Sequence, residues 1–344
     1  MARPDACPTS LRERVSPLIM RRRLRSTASV LLLLASISVL VFLVLRVVPG
    51  DAIKAAFGTE SGILTKAQIT ALRHYYGMDQ SILSQYWAWV SAMAHGNFGV
   101  STISGQTVVE LTKVSLPVTI ELAVFATLLG TIIGVGLGLI SASRPNGGRD
   151  LVSQTLGILF LAVPSFVTAT ALVTILANRF TYFPNALEYA APWQNLSLNI
   201  QQMMFPSLVL ALTVAAPVLR TTRTALLDTA SQDFIRTAEG KGLSRARVLW
   251  RHLLPNSLLP VVTMTGMQFG YLLGGAIIVE QIFAMPGIGR QVLTAILQRD
   301  YAVVQSTTLL IAVMFVFVNK GTDALYRRID PRIGRSERES GAKS

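Results

Sequence analysis

Few side chains in this sequence have the types and spacing that catalytic or metal chemistry requires. The histidines His74, His95 and His252 are widely scattered and form no metal-ligand spacing. Cys7 is the only cysteine, which excludes an intrachain disulfide framework and a multi-thiolate metal site. Gly240-Lys241-Gly242 lacks the G-x-x-x-x-G-K-[ST] spacing of a phosphate-binding loop. We therefore predict no catalytic residue, no metal and no bound cofactor in this chain.

The composition indicates that lipid is the solvent for much of the protein. Of 344 residues, 51% are hydrophobic and only 14% are charged, whereas a soluble domain carries about 25% charged residues. The mean hydropathy is +0.50. Several long runs contain almost no charge, which predicts an all-α integral membrane protein.

Six apolar runs are candidates for membrane-spanning helices, each of which needs about 20 apolar residues. They are Ala28–Leu45, Val118–Ile140, Leu151–Ala177, Phe205–Leu219, Val261–Phe283 and Ser306–Val318. The first run follows a basic leader, Arg21-Arg22-Arg23-Leu24-Arg25, as in a signal peptide. It is too long for one, and no small-x-small cleavage site precedes Arg46, so we expect a retained helix.

The spans divide the chain into five parts. These are a basic tail (1–27), a first transmembrane helix (28–48), a segment between helices one and two (49–113), a domain of five transmembrane helices (114–327) and a second tail (328–344). Within the third part, Leu64–Tyr76 has the spacing of an amphipathic helix. We interpret this part as a packed cap or interfacial segment rather than a dedicated binding site.

The distribution of basic residues predicts the orientation. Seven lysines or arginines lie in the N-terminal tail up to Arg25, seven between Arg220 and Arg251, and seven between Lys320 and Lys343. On the opposite face, residues 178–204 carry one and residues 284–305 carry two, and the basic residues of 49–113 are balanced by acidic ones. Both termini and the loop after the fourth span should thus be cytosolic, and residues 49–113 extracytoplasmic. The net charge of +13 then reflects membrane topology and not nucleic-acid binding.

Ionisable groups are rare inside the predicted spans. Glu121 and Glu280 both lie toward span ends, so we interpret them as interfacial anchors rather than as a proton relay. Pro164 and Pro217 lie within spans, where proline permits kinks.

Glycines repeat at spacings of four in the second and fifth spans. They include Gly130, Gly134 and Gly138 in one, and Gly266, Gly270 and Gly274 in the other. Such a face allows close helix packing. It would also suit helices that flank a path which opens and closes, and the sequence leaves both interpretations open.

The loop from Ser231 to Pro255 is the most informative segment. Ser231 is a favourable N-cap for a first short helix, and Gly242 suits the position just after it. A second helix can begin at Ser244 and end at Pro255. This basic, amphipathic pair could lie on the membrane surface or fit a groove in a partner protein. Amphipathicity alone slightly favours the membrane surface.

The loop resembles the EAA loop of binding-protein-dependent ABC importer permeases. That pattern is E-A-A, three residues, G, nine residues, then I-x-L-P, and Ala238, Gly242, Leu254 and Pro255 match it at its spacing. Arg236, Thr237 and His252 depart from it, replacing the glutamate, the first alanine and the isoleucine. The R-T-A and K-G-L combination is similar to the dipeptide and oligopeptide branch. The residues that the resemblance assigns to docking an ATPase are Arg236, Thr237, Ala238, Glu239, Gly240, Lys241, Gly242, Leu243, Leu254 and Pro255.

Further short matches to that family follow the order of the spans. They are Arg46-Val47-Val48-Pro49-Gly50-Asp51, Leu72 to Gly77-Met78-Asp79, Gly96-Asn97-Phe98-Gly99, Val163-Pro164-Ser165-Phe166, Val279-Glu280 through Pro286-Gly287-Ile288-Gly289-Arg290, and Asp330-Pro331-Arg332.

The resemblance implies a type I ABC importer permease of a bacterial plasma membrane, with its loop serving as a coupling helix. Its expected partners are the lipid bilayer, a second homologous permease, two ATP-binding subunits that hold the ATP, and an extracytoplasmic solute-binding protein. Peptides are the expected substrates, with nickel or glutathione as alternatives. A secondary carrier or channel acting alone and a membrane-embedded enzyme are the competing hypotheses. The first is disfavoured by the scarcity of midplane charge, and the second by the lack of a catalytic constellation.

Overall fold

A computed structural model describes residues 10–47, 65–75, 79–181 and 189–329. The predicted motifs Pro49-Gly50-Asp51 and Asp330-Pro331-Arg332 lie outside these residues. The described part is helical, and its only β pairing is an isolated bridge between Val100 and Thr107. The helices are α1 (Ser10–Val47), α2 (Lys66–Tyr75), α3 (Ile82–Ala94), α4 (Val108–Ser143), α5 (Gly148–Ala162), α6 (Ser165–Phe180), α7 (Leu196–Ala230), α8 (Asp233–Gly240), α9 (Arg245–Val248), α10 (Leu254–Gly275), α11 (Ile277–Ile282), α12 (Ile288–Gln298) and α13 (Tyr301–Ile329).

Four helical segments in the described part are long and apolar enough to cross a membrane. They are Ala28–Arg46, Val108–Ser143, Leu196–Ala230 and Tyr301–Thr322, and a bent pair formed by α5 and α6 raises the number to five if it counts as one span. The predicted fifth span, Val261–Phe283, falls on α10 and α11, which are not among them. The all-helical membrane fold is thus confirmed, and the count of six spans stays a prediction.

Helices α4 and α7 form the centre of the bundle and run in the same direction. The α4 glycines Gly130, Gly134 and Gly138 meet Val214, Val218 and Thr222 of α7 in that order. A Cβ added at Gly134 would lie 2.7 Å from Val218 Cβ and 2.8 Å from the Ala215 carbonyl oxygen. Because the backbones approach so closely, this glycine face is a packing surface within one subunit.

The predicted third span is not one helix. The chain breaks at Val163-Pro164, and α5 and α6 meet at an angle of 93°. Val163 is extended, with φ −86° and ψ 116°, as the residue before a proline prefers. Pro164 then occupies the N-cap position of α6. We expected a kink at Pro164, and the structure instead ends one helix there and starts another.

The predicted fourth span was too short. Phe205–Leu219 lies inside α7, which has 35 residues and accommodates both Pro206 and Pro217. Polar residues such as Asn199 and Arg223 extend the helix beyond its apolar stretch, so a hydropathy window misses both ends. The α7 surface that packs on α4 is deeply buried, with Ala215 and Val218 fully enclosed.

Helices α1 and α3 pack together through an aromatic cluster. The Arg46 guanidinium carbon lies 3.6 Å from the centroid of the Phe42 ring, and its Nη2 donates to Gln85 Oε1 at 2.8 Å. The predicted helix Leu64–Tyr76 is confirmed over Lys66–Tyr75, which is α2, and its two end residues lie outside the described residues. Near its end, a hydrogen bond to Asp79 raises the pKa of the exposed His74 imidazole, although a solvated pair of this kind contributes little stability.

Candidate functional site

The segment that follows α7 is a compact helical unit with its own small core. Ile235, Ala238 and Val248 are buried, and Leu243 and Leu253 pack against them. Ser231 was predicted to be the N-cap of α8, but it is the C-cap of α7, with its N–H donating to the Leu227 carbonyl. Gln232 takes the N-cap position, because α7 continues further than the apolar pattern indicated.

The end of α8 has the geometry of a Schellman motif. The Leu243 N–H donates to the Ala238 carbonyl at 3.4 Å, and the Gly242 N–H donates to the Glu239 carbonyl at 2.8 Å. Gly242 has φ +76°, a left-handed conformation that favours glycine. The four-residue spacing from Ala238 to Gly242 is therefore the spacing at which the motif turns the chain back onto its own core. The prediction for Gly242 is confirmed.

The outer face of α8 consists of residues that the fold leaves exposed. Arg236, Thr237, Glu239, Gly240 and Lys241 are all exposed. Of the ten predicted docking residues, only Ala238 is buried. The structure thus brings most of them together on one projecting surface.

Two exposed aromatic residues of the Ser231–Pro255 loop are not part of the motif. Phe234 on α8 is 40% exposed, and Trp250 in the following segment is 64% exposed. The sequence signal that marks Phe234 is its place in the helical pattern, next to the buried Ile235.

We predicted that the second helix of the loop ends at Pro255, but the helix continues past this residue. It runs from α9 through a π-helical segment, Leu249–Leu253, directly into α10. The Leu254 N–H bonds to the Leu249 carbonyl, five residues back. Pro255 lies in the first turn of α10, where its missing N–H is tolerated. Leu254 and Pro255 therefore join the loop rigidly to α10.

A buried ionic cluster lies where the end of α4, the start of α5 and the last turns of α7 meet. Asp150 is 1% exposed and pairs with Arg223, whose Nη2 lies 2.8 Å from Asp150 Oδ2. Ser141, the Asn146 N–H and Gln154 also donate to this carboxylate. Nothing in the loop motif points to this cluster.

We interpreted Glu280 as an interfacial anchor, and the structure shows that this interpretation is wrong. Glu280 is fully buried, and its carboxylate accepts from the Thr119 hydroxyl at 2.6 Å and from the Arg290 N–H at 3.0 Å. Arg290 lies in the first turn of α12, and the positive end of a helix stabilises a carboxylate there. Gly287 and Gly289 permit this contact, since a Cβ at either position would collide with Glu280.

Glu121, the second predicted anchor, is partly buried. Its Oε2 accepts a hydrogen bond from the Tyr189 hydroxyl at 2.6 Å. Tyr189 belongs to the connection before α7, so the contact ties this connection to α4. No finding places Glu121 at a membrane interface, and that interpretation stays a prediction.

The apolar helices and the small helical unit that follows α7 define a helical integral membrane protein. A family model described as "Binding-protein-dependent transport system inner membrane component" matches residues 134–335, and the model for its N-terminal part matches residues 18–123. The chain belongs to this family of ABC importer permeases.

Relatives and solved structures agree with this assignment. The chain is 35% identical over 298 residues to the glutathione transport system permease protein GsiC of Escherichia coli K12, covering 86% of this chain and 93% of the relative. The same protein of Shigella flexneri serotype 5b matches equally. The MetNI methionine ABC transporter, in inward facing conformations, gives a TM-score of 0.53 at 16% identity, over 64% of this chain and 97% of that chain. This last likeness concerns the fold alone.

Proposed function

We propose that this chain is one of two permease subunits of a type I ABC importer in a bacterial plasma membrane. It crosses the membrane six times, with both termini and the Ser231–Pro255 loop in the cytosol and residues 49–113 outside. The family assignment supports the transport role. The placement of the basic residues supports the orientation.

The observation that carries the proposal is the exposed outer face of α8. Its inner face is fixed by Ile235 and Ala238, which hold the helix against the small core of the loop. Arg236, Thr237 and Lys241 point away from that core. A helix with an exposed polar face suits a cleft in an ATP-binding subunit, and rotation of that subunit would move the attached helices.

ATP hydrolysis then belongs to separate subunits, two of which would bind the assembly, while an extracytoplasmic solute-binding protein would deliver the substrate. Peptides of two or more residues are the proposed substrate class. Glutathione, itself a tripeptide, is a specific second candidate because of the 35% identity to a glutathione permease over most of both chains.

Reconstitution in proteoliposomes tests the proposal. The chain, purified with the second permease and the ATP-binding subunits encoded beside it, should take up a labelled dipeptide or labelled glutathione only with ATP and the binding protein. Uptake by this chain alone without ATP would show a secondary carrier and contradict the proposal. Chemical change of the substrate by this chain alone would indicate an enzyme.

A further inference from the structure

The cluster around Asp150 is the most densely bonded polar site in the described part of the chain. Asp150 Oδ1 accepts from Ser141 Oγ at 2.5 Å, from Gln154 Nε2 at 2.9 Å and from Arg223 Nε at 2.9 Å. Oδ2 accepts from Arg223 Nη2 at 2.8 Å and from the Asn146 N–H at 2.9 Å. Both edges of the carboxylate are saturated. We call these five residues the Asp150 clamp.

The clamp joins three helices at one end of the bundle. Ser141 lies in the last turn of α4, Asp150 in the first turn of α5, and Arg223 two turns before the end of α7. Asn146 belongs to the tight α4–α5 connection and has φ +61°. The carboxylate therefore fixes three helix ends and the turn between two of them.

The clamp continues a contact that runs along the bundle. Gly138 of α4 meets Thr222 of α7, one residue before Arg223. Gly157 of α5 lies against Leu219 of the same helix. Close backbone packing resists separation of the helices, and the clamp adds resistance to sliding and rotation, because a bidentate guanidinium–carboxylate pair has a defined geometry.

Helix α8 is connected to α7, and so to the Asp150 clamp, by a short and hydrogen-bonded link. Only Ser231 and Gln232 separate α7 from α8, and both are bonded: Ser231 N–H to the Leu227 carbonyl at 3.3 Å and Gln232 N–H to the Thr229 carbonyl at 3.2 Å. A displacement of α8 therefore pulls on the end of α7, seven residues beyond Arg223.

We propose that Asp150 and Arg223 are a positioning pair that makes α4 and α5 follow α7 when an ATP-binding subunit moves α8. The inference rests on the proposed function and assigns a role in it to residues outside the loop motif. Without the pair, α8 can still dock and ATP can still be hydrolysed, but the movement reaches α7 alone. The loss would appear as hydrolysis without transport.

The structure favours this role over a purely stabilising one. Apolar residues of similar volume would stabilise helix ends as well as a buried ion pair does. A buried pair with five directed hydrogen bonds defines one relative arrangement of the helices instead of a range of them. Its location on the helix that leads into α8 is where such a defined arrangement has a mechanical consequence.

The test measures substrate molecules transported per ATP hydrolysed by purified complexes in proteoliposomes. The probe is labelled glutathione, or a labelled dipeptide if the wild-type complex does not move glutathione. Arg223→Gln and Asp150→Asn should lower the ratio at least tenfold, while hydrolysis per assembled complex stays within twofold of wild type. Arg220→Gln is the matched control, since Arg220 is exposed on the same helix, and it should leave the ratio unchanged.

Arg223→Lys covers the case in which a neutral variant does not assemble. It keeps the buried charge and loses the two-pronged contact, so we expect an intermediate, about threefold, loss in the ratio. A ratio equal to wild type in the variants that assemble would overturn the proposal, whatever the yield of complex. If the wild-type complex moves neither probe with ATP, the proposed function fails instead.

Discussion

Ala238 and Gly242 lie four residues apart at the end of α8, and both act through backbone geometry. Ala238 is buried in the small core of the loop, and its carbonyl accepts the bond that turns the chain. Gly242 supplies the left-handed residue that the turn requires. The proposed docking face is formed by their exposed neighbours, which include the departures Arg236 and Thr237.

Gly242→Ala should disturb this turn. An alanine in the left-handed conformation costs about 1–2 kcal/mol, enough to fray the last turn of so short a helix. We expect the ATP-binding subunit to co-purify with the variant at a yield several-fold below wild type. Gly136→Ala is the control, because it lies in α4, outside the loop, and an added Cβ there meets nothing within 4 Å. Equal loss in both variants would contradict the role given to Gly242.

Glu280 and Glu110 are both carboxylates at helix N-termini, one buried and one exposed. Glu110 completes a capping box with Thr107 at the start of α4. The Glu280 carboxylate is enclosed and accepts several hydrogen bonds. Glu280→Gln should therefore lower the free energy of unfolding by about 1–3 kcal/mol. Glu110→Gln should lower the free energy of unfolding by only about a few tenths of a kcal/mol, since glutamine also serves a capping box.

Thermal unfolding of both variants in detergent measures this difference. The Glu280→Gln variant should unfold at a clearly lower temperature than wild type and Glu110→Gln. Similar midpoints for the two variants would show that Glu280 does not anchor α12.

At the scale of elements, the glycine face of α4 is the surface on which α7 packs closely. Gly134→Ala should cost about 1–3 kcal/mol through overpacking, because the new methyl group would meet Val218 and the Ala215 carbonyl. Gly136→Ala, in the same helix but facing open space, should be neutral or slightly stabilising. Denaturation midpoints in detergent compare the pair, and equal effects would argue against tight packing at Gly134.

The observed helices also show which parts of the fold could be predicted from the sequence. Apolar runs located the cores of α4, α7 and α13, and turn chemistry located Gly242 and Ser244, which does occupy the N-cap of α9. Helix ends beyond the apolar stretch were missed, since polar residues such as Arg223 find buried partners that hydropathy does not anticipate. The break at Pro164 and the π-helical passage before Pro255 depend on tertiary packing, and proline alone does not distinguish a kink from a stop.

The distinction between local and long-range contacts also explains which parts of the candidate site could be predicted. The motif spacing predicted the loop because it records a local stereochemical unit, from Ala238 to Gly242. The Asp150 clamp joins residues 73 positions apart, Asp150 and Arg223, which no local pattern relates. Glu280 and Thr119 are joined over 161 positions, and for that reason a buried cap looked like an interfacial residue.

At the scale of the whole molecule, the proposed orientation has a direct test. Cys7 is the only native cysteine, and a cytosolic N-terminus predicts that an impermeant thiol reagent labels it only after spheroplasts are permeabilised. A Cys7→Ser, Trp193→Cys variant is the control, because Trp193 is 78% exposed in the loop predicted to face outside. It should label in intact spheroplasts. The reverse pattern would invert the topology.

The central claim is that the outer face of α8 docks an ATP-binding subunit, and photo-crosslinking tests it most directly. A photoreactive amino acid at Thr237, which is exposed on α8, should crosslink to the ATP-binding subunit in membranes. The same amino acid at Val100, which is 48% exposed and precedes α4, should not. Crosslinking from Val100 but not from Thr237 in an assembled complex, or from neither position, would contradict the account.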